Sequence, residues 1–406
     1  MTTAESSRRH DIDALRAIAF GLLILYHVGM FYVPWDWHVK SGHISPWLET
    51  PMLLLNQWRM PLVFLISGLA VNFLLGEGRD PRRGYGSFAW LRIRRLGWPL
   101  VFGMAVVVPP QAYFEALRHG ATDPGYLRFL ARYFTFQGWP DGAFAGSDTG
   151  ITWNHLWYLP YLLLYTLVLA ALLRWLPRPL AVLRMAFQRL RGLGLVLMPV
   201  VFLMPIGIWV FPRFPYIRHD LVSDFYAHAM YGSFFLFGYL VGRGTGLWAE
   251  MARVRWRTAV LALVSFLSLR AFVEIAPPDG DRAFDAAMAF VVYLNRWTWI
   301  VLVLGWGHYA LNRPMGWLAY ANRAVYPWYV LHQTLIVSAG VWLSSLSLGP
   351  VVEPILLIAI TVTGCAGIMF AVERWTPWLG PAIGLKAPRS GPPRQTVAVA
   401  SGAGVR

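Results

Sequence analysis

His27 and Arg59 are the residues of this chain best suited to chemistry, because both stand inside apolar stretches. Ionisable groups at membrane depth are costly, so they are usually paired or functional. The run Ala14 to Val33, ALRAIAFGLLILYHVGMFYV, carries Arg16 near its start and His27 deep within. A neutral imidazole beside a hydroxyl can act as a general base. The competing reading, a hydrogen-bonded His with a structural role alone, is the weaker one. In a helix, Asp13, Arg16, Phe20 and His27 follow at steps of three, four and seven and share one face. At ~1.5 Å per residue, His27 lies roughly 20 Å in from Ala14, and Arg59 about 10 Å in from the opposite end of the next stretch. A base and a fixed cation are then expected at one depth. The Arg59 guanidinium, or the Gln57 amide, would stabilise a developing oxyanion. A structural Arg bonded to carbonyls is the alternative.

Other groups suit binding. In LRIRRLGWP, Arg92 and Arg95 are one helical turn apart, with Arg94 between them. Arginine forks suit phosphate, although charge that merely sets topology explains the same pattern. Asn154, His155 and Trp157 in WNHLWYLPY suit sugar stacking and hydrogen bonding, or an interfacial aromatic belt. Arg296 in NRWTW and His332 with Gln333 in YPWYVLHQ add polar groups at depth. Together they suggest a polar cavity between helices. His228 and His308 read as structural. The single cysteine, Cys365, excludes an intrachain disulfide and a cysteine cluster, and no metal site is expected.

The elements that must position these residues follow from composition. Of 406 residues, 57% are hydrophobic and 14% charged, with mean hydropathy +0.48. A soluble domain carries roughly 25% charged residues. The expected fold is all-α, a polytopic membrane protein with about ten spans, near 14–34, 52–75, 96–117, 153–176, 193–212, 226–247, 257–276, 286–311, 324–345 and 352–371. Pro61, Pro99, Pro160, Pro205 and Pro327 predict kinks. With the N-terminus inside, the inner loops hold 24 Lys and Arg and the outer loops 7, which predicts N-in and C-in. This topogenic charge explains the net +15 through the lipid bilayer as partner, without nucleic acid. The loop 118–152 reads as turns rather than a domain. Residues 1–373 form one membrane domain, and 374–406 read as a disordered cytoplasmic tail. Arg8 and Arg9 precede the first run, but its length argues against a cleaved signal peptide.

The stretches DIDALRAIAFGLLILYH, WDWHVKSGHISPWL, RMPLVFLISG, RIRRLGWPL, HLWYL and YVLHQ, in this order, resemble the acyltransferase 3 family of integral membrane O-acyltransferases. The resemblance covers nearly all of the spanning part. It implies that His27 is the catalytic histidine and that Arg92 and Arg95 form the Arg-x-x-Arg site for an acyl-coenzyme A donor. It implies transfer of a succinyl or acetyl group from cytoplasmic acyl-coenzyme A to a hydroxyl of a periplasmic or cell-surface glycan. The setting would be the bacterial inner membrane, with no bound cofactor. Gln333 after His332 departs from the His-His-Pro type of sequence expected there. Direct transfer and an acyl-His intermediate both remain open, as do a lipid-linked sugar or secreted metabolite as acceptor. Oligomeric state is open too, a homodimer being one option. The rival class is a transporter or flippase, which paired halves would mark; the motif-bearing segments cluster in the first four spans instead.

Overall fold

The computed structural model describes residues 8–75, 84–275 and 281–386. These are mostly helical, with no strand among the described residues. The helices are α1 (His10–Tyr32), α2 (Glu49–Leu75), α3 (Tyr85–Phe102), α4 (Pro109–Arg118), α5 (Tyr126–Tyr133), α6 (Tyr158–Trp175) and α7 (Pro177–Gln188). They continue with α8 (Gly192–Pro205), α9 (Phe225–Val241), α10 (Thr245–Arg253), α11 (Arg255–Ile275), α12 (Arg282–Leu311), α13 (Leu318–Ser344) and α14 (Gly349–Trp375). Seven are long and apolar enough to cross a membrane, and eight if α3 and α4 count as one bent span. The expected spans 226–247 and 324–345 coincide with α9 and α13. The former has only 17 residues, and the latter carries His332 and Gln333 at mid-length.

The outer faces of α8, α11 and α14 expose apolar side chains such as Phe202, Leu263 and Ile355, as lipid contact requires. Trp175, Trp256, Trp342 and Trp375 stand exposed at helix ends, where an interfacial belt would hold them. In the interior, α2 packs on α9 at backbone distance. A Cβ on Gly68 would lie 1.8 Å from the Phe235 carbonyl oxygen, and one on Gly238 the same distance from that of Leu65. Small residues let helices approach this closely in a bilayer.

The sharpest break falls where no single proline was expected to cause it. After α3 the chain runs through a π-helical turn, Gly103–Val107, and bends by 44° into α4 at Pro109–Pro110. Two successive prolines remove two amide donors, so the straight ladder cannot continue. By contrast Pro61, Pro99 and Pro327 lie inside continuous α2, α3 and α13. Pro160 sits in the first turn of α6, where its missing donor costs nothing. Pro205 ends α8 before another π-helical turn.

Two connections differ from the sequence reading. The 118–152 loop contains α5 and an aromatic cluster of Phe129, Tyr133, Trp139 and Phe144. The tail expected from 374 begins as structure: α14 runs to Trp375, and a 3-10 segment, Pro377–Ile383, follows with Gly380, Ala382 and Ile383 buried. Residues 387–406 lie outside those described.

Candidate active site

The site is built on α1. Its Asp13, Arg16 and Phe20 line a cavity of about 840 Å³, shared with α2, α3, α6, α13 and the segment after α14. The one-face spacing read from the sequence therefore holds for these three. Arg92 and Arg95 of α3 line the same cavity, joined by Arg8, Arg323 and Lys386. Asp13 accepts from Arg8 at 2.9 and 3.0 Å, and Arg16 donates to Asn322 at 2.6 Å. Six cations face two acids, Asp13 and Glu373, so the chamber is strongly electropositive. Arg94 is exposed and is not among the lining residues, so the structure does not bring it to its two neighbours' site. A helix that presents i and i+3 on one face turns i+2 away.

Phe20, Tyr158 and Tyr329 close one end of this chamber. Their rings meet edge to face with centroids 5.5 to 6.4 Å apart. The Tyr158 hydroxyl is 2.5 Å from Ser67 Oγ, and the Tyr329 hydroxyl donates to the His155 carbonyl at 2.9 Å. Tyr329 also packs against the rings of His155 and His332. The collar thus separates the basic chamber from a histidine cluster.

There, His27 and His332 stack with centroids 5.0 Å apart, and His27 Nδ1 lies 2.8 Å from His332 Nε2. Their proton positions follow from the partners. His332 Nδ1 faces two carbonyls, Tyr329 at 2.8 Å and Trp328 at 3.0 Å, and must donate. In a neutral ring its Nε2 is then a lone pair, which accepts from His27 Nδ1. His27 Nε2 is left as a bare lone pair on a fixed ring. This is the state of a general base oriented by a second group.

Around this pair runs a network in which Asn154, His155 and Gln333 were expected from the sequence and Gln111, Glu115 and Trp37 were not. The α3–α4 bend turns Gln111 to Thr334 and Gln333 of α13, and Glu115, one turn on, to His38 of the loop after α1. Gln333 Nε2 lies near Gln111 Oε1 (3.1 Å), Asn154 Oδ1 (3.2 Å) and His38 Nε2 (3.0 Å). His38 Nδ1 is 2.5 Å from Glu115. His155 donates from Nε2 to the Val330 carbonyl (3.1 Å) and receives Gln111 at Nδ1 (3.3 Å). Trp37 stacks over His27 at 6.3 Å. The loop holding Trp37 and His38 is tied down by Lys40, which donates to the carbonyls of Met30, Val33 and Trp35, and by Ser41, which donates to Glu353 at 2.7 Å. Burial pushes the Lys40 ammonium down to about 8. The one signal for His38 in the sequence was its place beside two tryptophans in WDWHVK.

Arg59 is buried, with its guanidinium 3.6 Å over the Tyr26 ring and no hydrogen-bond acceptor for Nε or Nη1. Tyr26 is the residue before His27 on α1, so Arg59 and His27 stand at nearly one level of the bundle. Gln57 is buried, but no hydrogen bond joins it to either histidine. Trp157 faces away, stacked on His219 at 4.1 Å and tilted on Tyr231. Arg296 belongs to α12 and α9 and donates to the Tyr226 hydroxyl at 2.9 Å. His308 and His228 hold structure: His308 bonds buried Asp11 at 2.8 Å, and His228 bonds the Leu221 carbonyl at 2.8 Å.

The chain is similar to glucans biosynthesis protein C of Salmonella gallinarum, 23% identical over 85% of this chain and 86% of that protein. The Escherichia coli K12 protein of the same name gives the same figures. No solved structure matches it. The acyltransferase domain matches residues 9–370, which include every candidate catalytic residue above. With that span covering most of the sequence, the chain belongs to the acyltransferase 3 family and is an acyltransferase enzyme.

Proposed function

We propose that this multi-pass membrane enzyme moves an acyl group, succinyl or acetyl, from cytoplasmic acyl-coenzyme A to a glycan hydroxyl on the other side of the bacterial inner membrane. The names of its relatives favour an osmoregulated periplasmic glucan as acceptor. The observation that carries the reading is the ordered pair His27–His332, whose hydrogen bonds leave His27 Nε2 unprotonated. In this reading the coenzyme phosphates bind Arg92 and Arg95, with Arg16 deeper in the chamber. The pantetheine arm passes the collar and brings the thioester to His27. The glycan hydroxyl gives its proton to Nε2 as its oxygen attacks the carbonyl carbon. Arg59 offsets the charge on the carbonyl oxygen. When the C–S bond breaks, the proton on Nε2 passes to the departing thiolate. In this reading both termini face the cytoplasm, as the Lys and Arg bias of the loops favours, and the basic chamber opens to the side of the soluble donor.

The test is His27→Ala in membranes supplied with labelled acyl-coenzyme A and glucan. Transfer is expected to fall to background at normal protein level. Full transfer by the variant would refute the assignment. The mass added to the glucan, succinyl or acetyl, identifies the donor.

A further inference from the structure

A second polar region adjoins the histidines, and of its groups the reaction above uses Arg59 alone. It lies where α2 meets α12. Trp58 of α2 stacks on Trp299 of α12 with centroids 6.2 Å apart. Arg59 is the next residue on α2, and Arg296 lies one turn from Trp299 on α12. Arg296 contacts Met230 of α9, and the next residue, Tyr231, stacks on Phe64 of α2 with centroids 4.8 Å apart, so α9 bridges the two arginine-bearing helices.

The polar groups here are overwhelmingly donors. Arg59 Nε and Nη1, Trp58 Nε1 and Trp299 Nε1 are buried with no acceptor in the protein. Arg296 donates to the Tyr226 hydroxyl and contacts Met230 sulfur, and it keeps part of its surface accessible. Among the described residues, neither guanidinium is paired with a carboxylate. Asp224, near Tyr161, accepts from the Tyr161 hydroxyl at 2.7 Å and the His219 amide at 2.9 Å, both through Oδ2, while its buried Oδ1 has no partner and forms no ion pair with either arginine. Two positive charges without a counter-charge in an apolar interior are expensive, and unsatisfied donors add to the cost. The chemistry that offsets both is an oxyanion.

We infer that Arg296, with Arg59 and the Trp58–Trp299 pair, forms a binding site for a phosphate or carboxylate group carried by the acceptor. The occupant is identified as the acceptor only if the acyl-transfer reading holds, because Arg59 borders His27 on its other side. The oxyanion is either a substituent of the glycan itself or the phosphate of a lipid that carries or accompanies it. The indole N–H groups then meet neighbouring oxygens, and the arginine forks take the charge.

The test uses the full-length protein in phosphatidylcholine nanodiscs, with glucose 6-phosphate, glucuronate and glucose as probes. Both anions are expected to bind about tenfold or more tightly than glucose. Arg296→Met should remove that preference, and Arg296→Lys should keep part of it. Equal binding of the three sugars by the wild-type protein, or an unchanged preference in a folded Arg296→Met, overturns the site. Repetition in phosphatidylglycerol discs separates the sources. Competition by that lipid assigns the site to a lipid phosphate, and none assigns it to the glycan. Coenzyme A binding is measured in the same samples. Coenzyme binding without anion preference refutes this site alone, and anion preference without coenzyme binding refutes the acyl-transfer reading alone.

Discussion

A neutral imidazole has one donor and one acceptor, so the two carbonyls at His332 Nδ1 decide what His27 can do. His332→Phe keeps an aromatic ring but removes the acceptor for His27 Nδ1. The ring of His27 is then free to rotate and to choose the other tautomer. Turnover is expected to drop about 100-fold or more, with little change in the apparent KM for the donor. Steady-state kinetics in membranes check this, and an unchanged rate would separate His332 from the base. Each histidine was legible in the sequence, since a His in an apolar run is conspicuous. Their bond was not, because it joins positions 305 residues apart. Glu115 and Gln111 gave no signal at all: both follow the proline pair in what reads as the end of one span. Only the bend shows that they face inward.

At the level of elements, the α2–α9 crossing holds Arg59 and Tyr231 near one another. The close approach at Gly68 and Gly238 leaves no room for a methyl group, since the clash is with backbone rather than a movable side chain. Gly68→Ala must push the helices apart, at a cost of about 1–3 kcal/mol. A lowered melting temperature in detergent is the expected readout, and Ala at Gly21 of α1, whose Cβ would meet nothing within 4 Å, is the control. Ser67 and Gly68 are small residues of the kind that lets helices approach closely in a bilayer. The partner helix is not legible in the same way, because α9 offers two glycines, Gly232 and Gly238, amid apolar residues.

For the whole molecule, composition was enough to read an all-helical membrane protein, and the family follows from motifs spread along it. The fold around the chamber was harder to read. The segment after α14 looked like featureless tail, yet Leu385 and Lys386 help line the cavity. Short amphipathic pieces also tie the assembly together away from the spans. In α10, Glu250 accepts from Arg253 at 2.7 and 2.8 Å and from the Gly192 amide at 2.7 Å, joining α10 to the start of α8. The Arg253 hydrogen bonds, first, then that amide hold its carboxyl down to about 2. A depressed carboxyl pKa contributes stability that is present above the unfolded value, about 4.3, and is lost as pH falls towards 2. Glu250→Gln should therefore cost about 1 kcal/mol at pH 7, and the gap to the wild type should close on acidification. Melting curves at pH 7 and pH 3 measure both.

The aromatic collar has a consequence beyond substrate handling. Under the proposed reaction, an enzyme taking one substrate from each face of an energised membrane would have to offer a path for an acyl chain without offering one for protons or ions. Phe20, Tyr158 and Tyr329 interlock across that path, and the two phenols are held by Ser67 and the His155 carbonyl. In this respect the collar is an insulator. In the proposed reaction it would let chemistry connect the two compartments while the electrochemical gradient between them stays intact.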